Sequence, residues 1–254
     1  MSNALRTQYD AIYLSPHLDD AALSCGGQIF QRTRRGEAIL VVSVMAGDPS
    51  EVVVSDYAQS LHTRWALLAS AADARRAEDL AACRVLGADA LHWDVADCIY
   101  RTDPQSGLPF YTSDDDIFGA IAVAETTLVA ELARRLSALP PSKILFAPLG
   151  IGHHVDHQLT RAAAERSHAP ESLRYYADYP YAQDEAALGE ALKTINTPLQ
   201  LEVIPLDPQA LNAKIRAISA YASQVSTFWA SHDELVEQVT HFAMNCGGEM
   251  LWRP

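Results

Sequence analysis

Two short clusters of polar residues in this sequence have the side chains needed to bind a metal ion. The first contains His17, Asp19 and Asp20, and the second contains His153, His154, Asp156 and His157. Imidazole nitrogens and carboxylate oxygens are usual ligands of zinc. A metal in such a site lowers the pKa of bound water and supplies a nucleophile at neutral pH. The clusters therefore point to metal-assisted hydrolysis.

The first cluster alone permits two interpretations. It precedes a predicted helix, so Asp19 or Asp20 could cap that helix, where acidic residues are favoured. It could equally supply metal ligands, but two protein ligands leave a catalytic zinc site short, because such a site usually takes three. The second cluster favours the metal, because it adds three histidines in a chain that has only nine. If its turn is helical, His157 can converge with His154 or with His153.

Each cluster follows an apolar run that ends near a proline. Residues 11–14 precede Pro16, and residues 143–147 precede Pro148. Such short apolar runs are typical of buried strands. Helices are predicted over 21–35, 117–139 and 155–167, with further helical pieces within 60–86, 208–224 and 232–244. Alternating strands and helices indicate a parallel sheet covered on both faces, and ligands bind at the carboxyl ends of such strands.

The two clusters and their context resemble the zinc-dependent N-deacetylases of the PIG-L/LmbE-like family. The motifs that carry the resemblance are Pro16-His17-Leu18-Asp19-Asp20, Cys25-Gly26-Gly27 and His154-Val155-Asp156-His157. The family motifs are usually written Pro-His-Pro-Asp-Asp-Glu and His-x-Asp-His, so Leu18 and Ala21 depart from the pattern at positions that do not bind metal. The resemblance runs from about Ile12 to the last residues. It implies a Rossmann-like, three-layer α/β/α fold with a mostly parallel sheet.

The resemblance also implies roles for individual residues. His17, Asp20 and His157 would bind Zn²⁺, and Asp19 would be the general base on the zinc-bound water. His154 would stabilise the oxyanion or protonate the leaving amine, while Asp156 would orient an imidazole without binding the metal.

Two further residues are implied to contact the substrate. Arg75 belongs to an Arg-x-x-Glu segment similar to one in the family and would face the pocket. From the sequence alone, an ion pair with Glu78 on the same helix face explains Arg75 equally well. Asp97 lies where the family has an acidic residue that contacts sugar hydroxyls. Asp48, just beyond another predicted strand, is as well explained as a turn residue as by a functional role.

Composition limits the remaining possibilities. The chain has 254 residues, 49% of them hydrophobic, which is enough for one large core. We expect a single domain over 1–254, with a tail at 1–10 and a helical part at 207–254 that completes the pocket. The net charge is −13, without the basic surface of a nucleic-acid binder. The four cysteines are scattered and predict no disulfide framework. Without a signal peptide or apolar span, a cytoplasmic protein that does not bind membranes is expected.

The sequence therefore predicts a hydrolase that removes an acetyl or other acyl group from an N-acylated amino sugar or its conjugate. One alternative is an amidase that cleaves a larger acyl or peptidyl group. Another is a non-catalytic Rossmann-type ligand-binding protein, although the Gly-x-Gly-x-x-Gly motif is missing. The expected partners are a small-molecule substrate and, as a possibility left open, further copies of the chain. Iron or cobalt could replace zinc in a mixed nitrogen and oxygen site.

Overall fold

The computed structural model describes residues 4–48, 55–64, 71–195 and 197–254. Within these residues, seven strands form one sheet in the order β3-β2-β1-β4-β5-β7-β6. The strands are β1 (Tyr9–Ser15), β2 (Ile39–Ser43), β3 (Asp89–His92), β4 (Ser142–Pro148), β5 (Leu173–Tyr176), β6 (Gln200–Ile204) and β7 (Glu249–Arg253). The pairings from β3 to β5 are parallel, and β7 is antiparallel to both of its neighbours.

Helices follow most of the strands and cover both faces of the sheet. In the described part of the chain they are α1 (Asp20–Arg34), α2 (Asp56–Arg64), α3 (Ala71–Leu86), α4 (Asp114–Ile117), α5 (Thr126–Ser137), α6 (Val155–Ser167), α7 (Glu185–Lys193), α8 (Pro208–Ser219), α9 (Ala222–Phe228) and α10 (His232–Cys246). Among the described residues, no helix is both long enough and apolar enough to cross a membrane. The four cysteines are free.

The central strand β1 shows how the sequence builds two cores. Side chains alternate between the faces of a strand. Ile12 and Leu14 enter the core that is shared with α5 and α6, whereas Ala11 and Tyr13 enter the core shared with α1, α3 and α8. All four side chains are buried, so both faces of the sheet are covered. The predicted three-layer α/β/α fold with a mostly parallel sheet is confirmed.

The chain leaves the central strands β1 and β4 in opposite directions. These strands are adjacent and parallel, yet β1 leads through α1 to β2, while β4 leads through α6 to β5 on the other side. A crevice opens at the carboxyl ends of strands where the order reverses in this way. Both predicted clusters follow these two strands, so the topology brings them to the same crevice.

The predicted helix over 117–139 is wrong in its first part. Helix α4 ends at Ile117, and α5 begins only at Thr126. Tyr111 explains part of the interruption, because its hydroxyl accepts a hydrogen bond from the Ala122 backbone N–H at 3.0 Å. Gly119 makes a close turn as well, since a Cβ there would lie 2.7 Å from the Asp115 carbonyl oxygen.

The C-terminal part also differs from the prediction. The helix predicted over 208–224 is divided into α8 and α9, and the last residues form strand β7 within the sheet rather than more helix. In β7 the Glu249 carboxylate accepts hydrogen bonds from the backbone N–H groups of Gly27 and Gln28 at 2.9 and 2.8 Å. It also pairs with buried Lys214 of α8 at 2.8 Å. The strand therefore joins α1 to α8.

Helical pieces were predicted within 60–86, and the structure has α2 and α3 in this region. Residues 65–70 lie outside the described residues.

Candidate active site

The first cluster forms the turn between β1 and α1. The Ser15 hydroxyl accepts a hydrogen bond from the Ala21 backbone N–H at 2.9 Å, which satisfies one of the donors at the start of the helix. Asp19 occupies the N-cap position without making a side-chain cap hydrogen bond. Asp20 Oδ2 accepts from the His17 backbone N–H at 2.7 Å. The capping interpretation therefore does not describe Asp19, whose carboxylate lines a cavity instead.

The second cluster forms the turn between β4 and α6. Gly150, Gly152 and His153 all have positive φ, of 82°, 85° and 66°, a left-handed conformation that glycine adopts without strain. His154 is the N-cap of α6, where its Nδ1 accepts a hydrogen bond from the Asp156 backbone N–H at 3.2 Å. The His154 and His157 rings lie 5.5 Å apart, while His153 is exposed. Of the two pairs that the spacing allows, His154 and His157 converge.

The three predicted metal ligands meet at one carboxylate oxygen. Asp20 Oδ2 lies 3.3 Å from His17 Nδ1 and 3.4 Å from His157 Nε2. The two imidazole rings are 5.5 Å apart. Two imidazole nitrogens and a carboxylate oxygen make up the three-ligand set of a catalytic zinc site, which keeps a further position open. His17, His154 and His157 also offer ligand nitrogens that lie within 4.8 Å of one another, so the side chains present fit a metal ion.

A buried aspartate holds the other nitrogen of His157. His157 Nδ1 lies 2.7 Å from Asp178 Oδ1, and Asp178 Oδ2 accepts hydrogen bonds from the backbone N–H groups of Gly150 and Ile151 at 2.8 and 2.9 Å. Metal-binding histidines usually have such a partner, which fixes the ring orientation. Sequence reasoning missed Asp178. The available signal was a carboxylate just after a tyrosine-rich run, which forms β5 and ends at the same edge of the sheet as the two clusters.

Asp156 holds the other nitrogen of His17. Asp156 Oδ2 lies 3.1 Å from His17 Nε2 and accepts from the Cys98 backbone N–H at 3.0 Å. Its second oxygen lies 2.6 Å from Arg101 Nη1. The sequence predicted that Asp156 orients an imidazole without specifying which one. The structure places it on His17, 139 positions earlier in the chain, and adds Arg101, which sequence reasoning missed.

Burial and neighbouring charges shift several pKa values in the site. Burial, followed by the charge of Asp20, raises the pKa of Asp19 to about 6. Burial, followed by the charge of His17, lowers the pKa of His154 to about 3. For His157 burial acts in the opposite direction, but Asp20 and Asp178 raise its pKa to about 10. For Asp156 burial is likewise outweighed, because Arg101 and His17 lower its pKa.

The polar side chains of the two clusters form the floor of a cavity of about 220 Å³. His17, Asp19, Asp20, His154 and His157 all line it. Its walls are largely apolar or aromatic and include Leu23, Leu61, Ile99, Ile117, Phe118, Tyr179, Tyr181 and Phe228. A polar floor with apolar walls is typical of small-molecule sites. Most of these wall residues carry no sequence motif, and only their position around the cavity identifies them.

Arg75 lines this cavity from α3. Glu78, its alternative ion-pair partner, instead accepts hydrogen bonds from the backbone N–H and the hydroxyl of Ser223, at 2.9 and 2.6 Å. The Arg75 Nε atom is buried and has no hydrogen-bond partner within the described ranges. The contacts with Ser223 fasten the start of α9, whose Gln224 and Phe228 form part of the cavity wall.

Asp97 also lines the cavity, from the connection that follows β3. Its Oδ1 accepts a hydrogen bond from the Ile99 backbone N–H at 3.2 Å, and its Oδ2 lies 3.7 Å from His17 Nε2. The carboxylate thus faces His17 on the floor as well as the cavity. Asp48 lies outside the cavity lining and pairs with Arg76 at 2.9 Å.

Deacetylases are among the solved structures and curated proteins that this chain resembles. The zinc-inhibited form of teicoplanin deacetylase Orf2 superposes with a TM-score of 0.80 at 27% identity, covering 95% of this chain and 96% of that one. The A40926 pseudoaglycone deacetylase Dbv21 gives a TM-score of 0.72 at 29% identity, with 96% of each chain covered. The 2'-N-acetylparomamine deacetylase of Streptomyces fradiae is 27% identical over 247 residues, which are 95% of this chain and 80% of that protein.

The family comparison agrees with these similarities and with the geometry of the two motifs. The model of the PIG-L family, described as GlcNAc-PI de-N-acetylase, matches residues 12–168. This span includes the second half of β1, all of β4 and α6, and the three side chains that meet at Asp20. The chain belongs to the PIG-L family.

Proposed function

We propose that this protein is a zinc-dependent N-deacetylase that hydrolyses the acetamide of an N-acetylated amino sugar or its conjugate, releasing acetate and a free amine. The observation that carries the proposal is the meeting of His17 and His157 at Asp20, on the floor of a cavity that Asp19 also lines. Two relatives are described as deacetylases of 2'-N-acetylparomamine and of a 2-acetamido-2-deoxy-glucopyranoside of inositol. Their substrates support an acetamido sugar here.

His17, Asp20 and His157 would hold the metal. Bound there, zinc supplies a Lewis acid that polarises the acyl oxygen and lowers the pKa of a water molecule to about 7. Iron or cobalt would also fit a mixed nitrogen and oxygen set. Zinc is favoured because it prefers this three-ligand arrangement. A structural relative described in a zinc-inhibited form supports zinc binding by this fold.

Asp19 would act as the general base. Asp19 is 7% exposed, lies next to Asp20 in the sequence and lines the cavity. From this position it would accept a proton from the attacking water. The amine can leave only after it is protonated, and protonated Asp19 can return the proton to the nitrogen. One carboxylate would thus serve both proton transfers.

His154 would stabilise the negative charge on the acyl oxygen. Its Nδ1 accepts the Asp156 backbone N–H, so the neutral ring carries its proton on Nε2. Nε2 has only a long contact of 3.9 Å with Cys98 Sγ, and His154 lines the cavity, so that N–H would donate to the acyl oxygen of a bound substrate. A donor already in place where charge develops is among the largest contributions to catalysis. Of the two roles implied for His154, the hydrogen-bonding geometry favours oxyanion stabilisation over protonation of the amine.

The cavity wall would recognise the sugar. Arg75 and Asp97 are the charged groups that we assign to the sugar hydroxyls, and aromatic side chains such as Tyr181 and Phe118 offer faces on which a sugar ring can pack. A cavity of about 220 Å³ is below the usual range of about 300–1,000 Å³ for drug-sized ligands. It therefore suits an acetamide with one sugar residue, while the remainder of a conjugate would lie outside.

The first test combines metal analysis with acetate release from N-acetylglucosamine derivatives, with and without a chelator. We expect near-stoichiometric zinc and activity that the chelator removes and zinc restores. Activity that persists in the demetallated protein would contradict the proposal. Substrates with longer acyl chains distinguish the amidase alternative, since faster release of a longer acyl group would replace the deacetylase assignment.

Asp19→Asn tests the general base. The variant should bind zinc as the wild type does and lose about 10²–10⁴-fold in kcat, the usual contribution of general acid–base catalysis. Asp115→Asn is the matched control, because Asp115 is an exposed carboxylate outside the cavity lining. Full activity of Asp19→Asn would remove Asp19 as the base.

His157→Ala tests the ligand set. It should reduce zinc content sharply, whereas His153→Asn should not, because His153 is exposed and asparagine tolerates its positive φ of 66°. Unchanged zinc content in His157→Ala would mean that a different side chain completes the site.

A further inference from the structure

Residues 97–125, which we call the pocket segment, connect β3 to α5 and supply five residues to the cavity lining. These residues are Asp97, Ile99, Asp114, Ile117 and Phe118. We infer that Arg101 is a positioning residue that holds Asp156, and through it His17, while fastening the pocket segment to the same point. This inference rests on the proposed function, because it concerns the same metal site.

Arg101 lies between two buried carboxylates. Its side chain is 9% exposed, and those of Asp156 and Glu125 are 0% and 4% exposed. Arg101 Nη1 lies 2.6 Å from Asp156 Oδ1 and donates to the Ala96 carbonyl oxygen at 3.0 Å. On its other side, Nε and Nη2 both donate to the Glu125 carboxylate. Buried charges are retained when they are paired in this way.

Asp156 connects this ion pair to the metal site. One of its oxygens faces Arg101, while the other faces His17 Nε2 at 3.1 Å and accepts the Cys98 backbone N–H at 3.0 Å. Removing Arg101 would leave a fully buried carboxylate without its strongest cation, which is strongly unfavourable. Asp156 would then reorient, and the His17 ring would lose its fixed orientation toward Asp20.

Glu125 connects the same guanidinium to the cavity wall. Its Oε2 accepts the Tyr111 hydroxyl proton at 2.6 Å, and the Tyr111 oxygen accepts the Ala122 backbone N–H at 3.0 Å. These bonds fix residues 122–125, which follow the turn that carries Phe118. An arginine suits this position because its planar fork can bind two carboxylates at once, which a lysine ammonium does less well.

The experiment measures zinc affinity by competition with a chelator, together with kcat and KM. Arg101→Met should weaken zinc binding by about 10–100-fold, the usual effect of losing an outer partner of a metal ligand. Arg101→Lys keeps the charge and should lose less zinc affinity. It also serves as the test if Arg101→Met does not fold. Glu125→Gln should mainly raise KM. Arg135→Met is the control, because Arg135 pairs with Asp94 at 2.7 Å, and neither lines the cavity.

A double-mutant comparison tests whether Arg101 acts through Asp156. In an Asp156→Asn background, Arg101→Met should change zinc affinity by no more than about twofold, because the effects of two residues that act through one contact do not add. The same large factor in both backgrounds would overturn the inference. So would a lower unfolding midpoint with wild-type zinc affinity in both Arg101 variants. If the wild type binds zinc but releases no acetate, the proposed function fails, and the zinc measurements still decide the role of Arg101.

Discussion

The two histidines that face Asp20 are held from behind in different ways. Asp178, behind His157, receives two backbone N–H groups from the turn that leads into α6. Asp156, behind His17, is paired instead with the side chain of Arg101, in the connection between β3 and α5. The first arrangement is built from the ends of neighbouring strands. The second depends on a buried charge supplied by another part of the chain.

We call His157 with Asp178 the fixed half of the site, and His17 with Asp156 and Arg101 the dependent half. Backbone donors next to β4 are positioned by the sheet itself, so the orientation of His157 follows once the sheet has formed. The orientation of His17 also requires that the pocket segment be in place. A substitution in the cavity wall should therefore alter metal binding by changing the orientation of His17 rather than that of His157.

The largest effect on stability is expected from Asp156→Ala. This change leaves the Arg101 guanidinium buried with one carboxylate fewer, and breaking a buried ion pair costs about 3–5 kcal/mol. Urea unfolding of the metal-free protein measures the loss. Asp115→Ala, at an exposed position, should stay within about 0.5 kcal/mol. A loss below about 1 kcal/mol in Asp156→Ala would mean that Arg101 does not depend on this partner.

Zinc binding should give the next largest effect. Free zinc at 100 times its Kd stabilises the folded state by about 2.7 kcal/mol, which corresponds to a rise in Tm of about 5–10 °C for a chain of this size. Chelator should reverse the rise, and both His17→Ala and His157→Ala should abolish it. If the Ala variant of either histidine keeps the full rise in Tm, the remaining residues of the site bind zinc without that histidine.

Asp178→Ala provides the direct counterpart to Asp156→Ala. It removes the acceptor of two buried N–H groups, a loss of about 1–3 kcal/mol, and should weaken zinc binding by about 10–100-fold. Urea unfolding and chelator competition measure the two effects. If Asp178→Ala destabilises the metal-free protein more than Asp156→Ala, the assignment of fixed and dependent halves is reversed.

The smallest effect is expected from Ser223→Ala, on the opposite wall of the cavity. The variant loses the hydroxyl bond to Glu78 but keeps the backbone bond, a cost of about 0.5–1.5 kcal/mol. KM should rise while zinc affinity stays unchanged, because α9 contacts neither of the aspartates behind the histidines. Ser172→Ala, which loses an exposed hydroxyl bond to a backbone carbonyl, is the control. A change in zinc affinity would place α9 within the dependent half.

Local sequence signals predicted the layered fold well. Apolar runs that end at Pro16 and Pro148 mark β1 and β4, and their polar turns carry the metal-capable side chains. The helix from Val155 to Ser167 agrees with α6. These features depend on residues that are close together in the sequence, so periodicity and turn chemistry are sufficient to predict them.

The rest of the site depends on contacts that no local pattern reveals. Asp178 follows a run rich in tyrosine, and only the folded sheet brings it to His157. Arg101 and Glu125 read as ordinary charged residues of a long connection, although each is buried against the other. The wrong prediction of helix from Ile117 has the same origin, since the Ala122 N–H is bound by the distant Tyr111 hydroxyl.

The placement of Arg101, Tyr111 and Glu125 within one segment affects how this protein could be re-engineered. A chimera that exchanges residues 97–125 as one block would move the cavity wall together with its own ionic anchor. The recipient chain would need to present a carboxylate at the position of Asp156. A crossover placed between Arg101 and Glu125 would instead take the two members of this ion pair from different parent chains. Substrate range in such chimeras should therefore follow the block as a unit rather than any single wall residue.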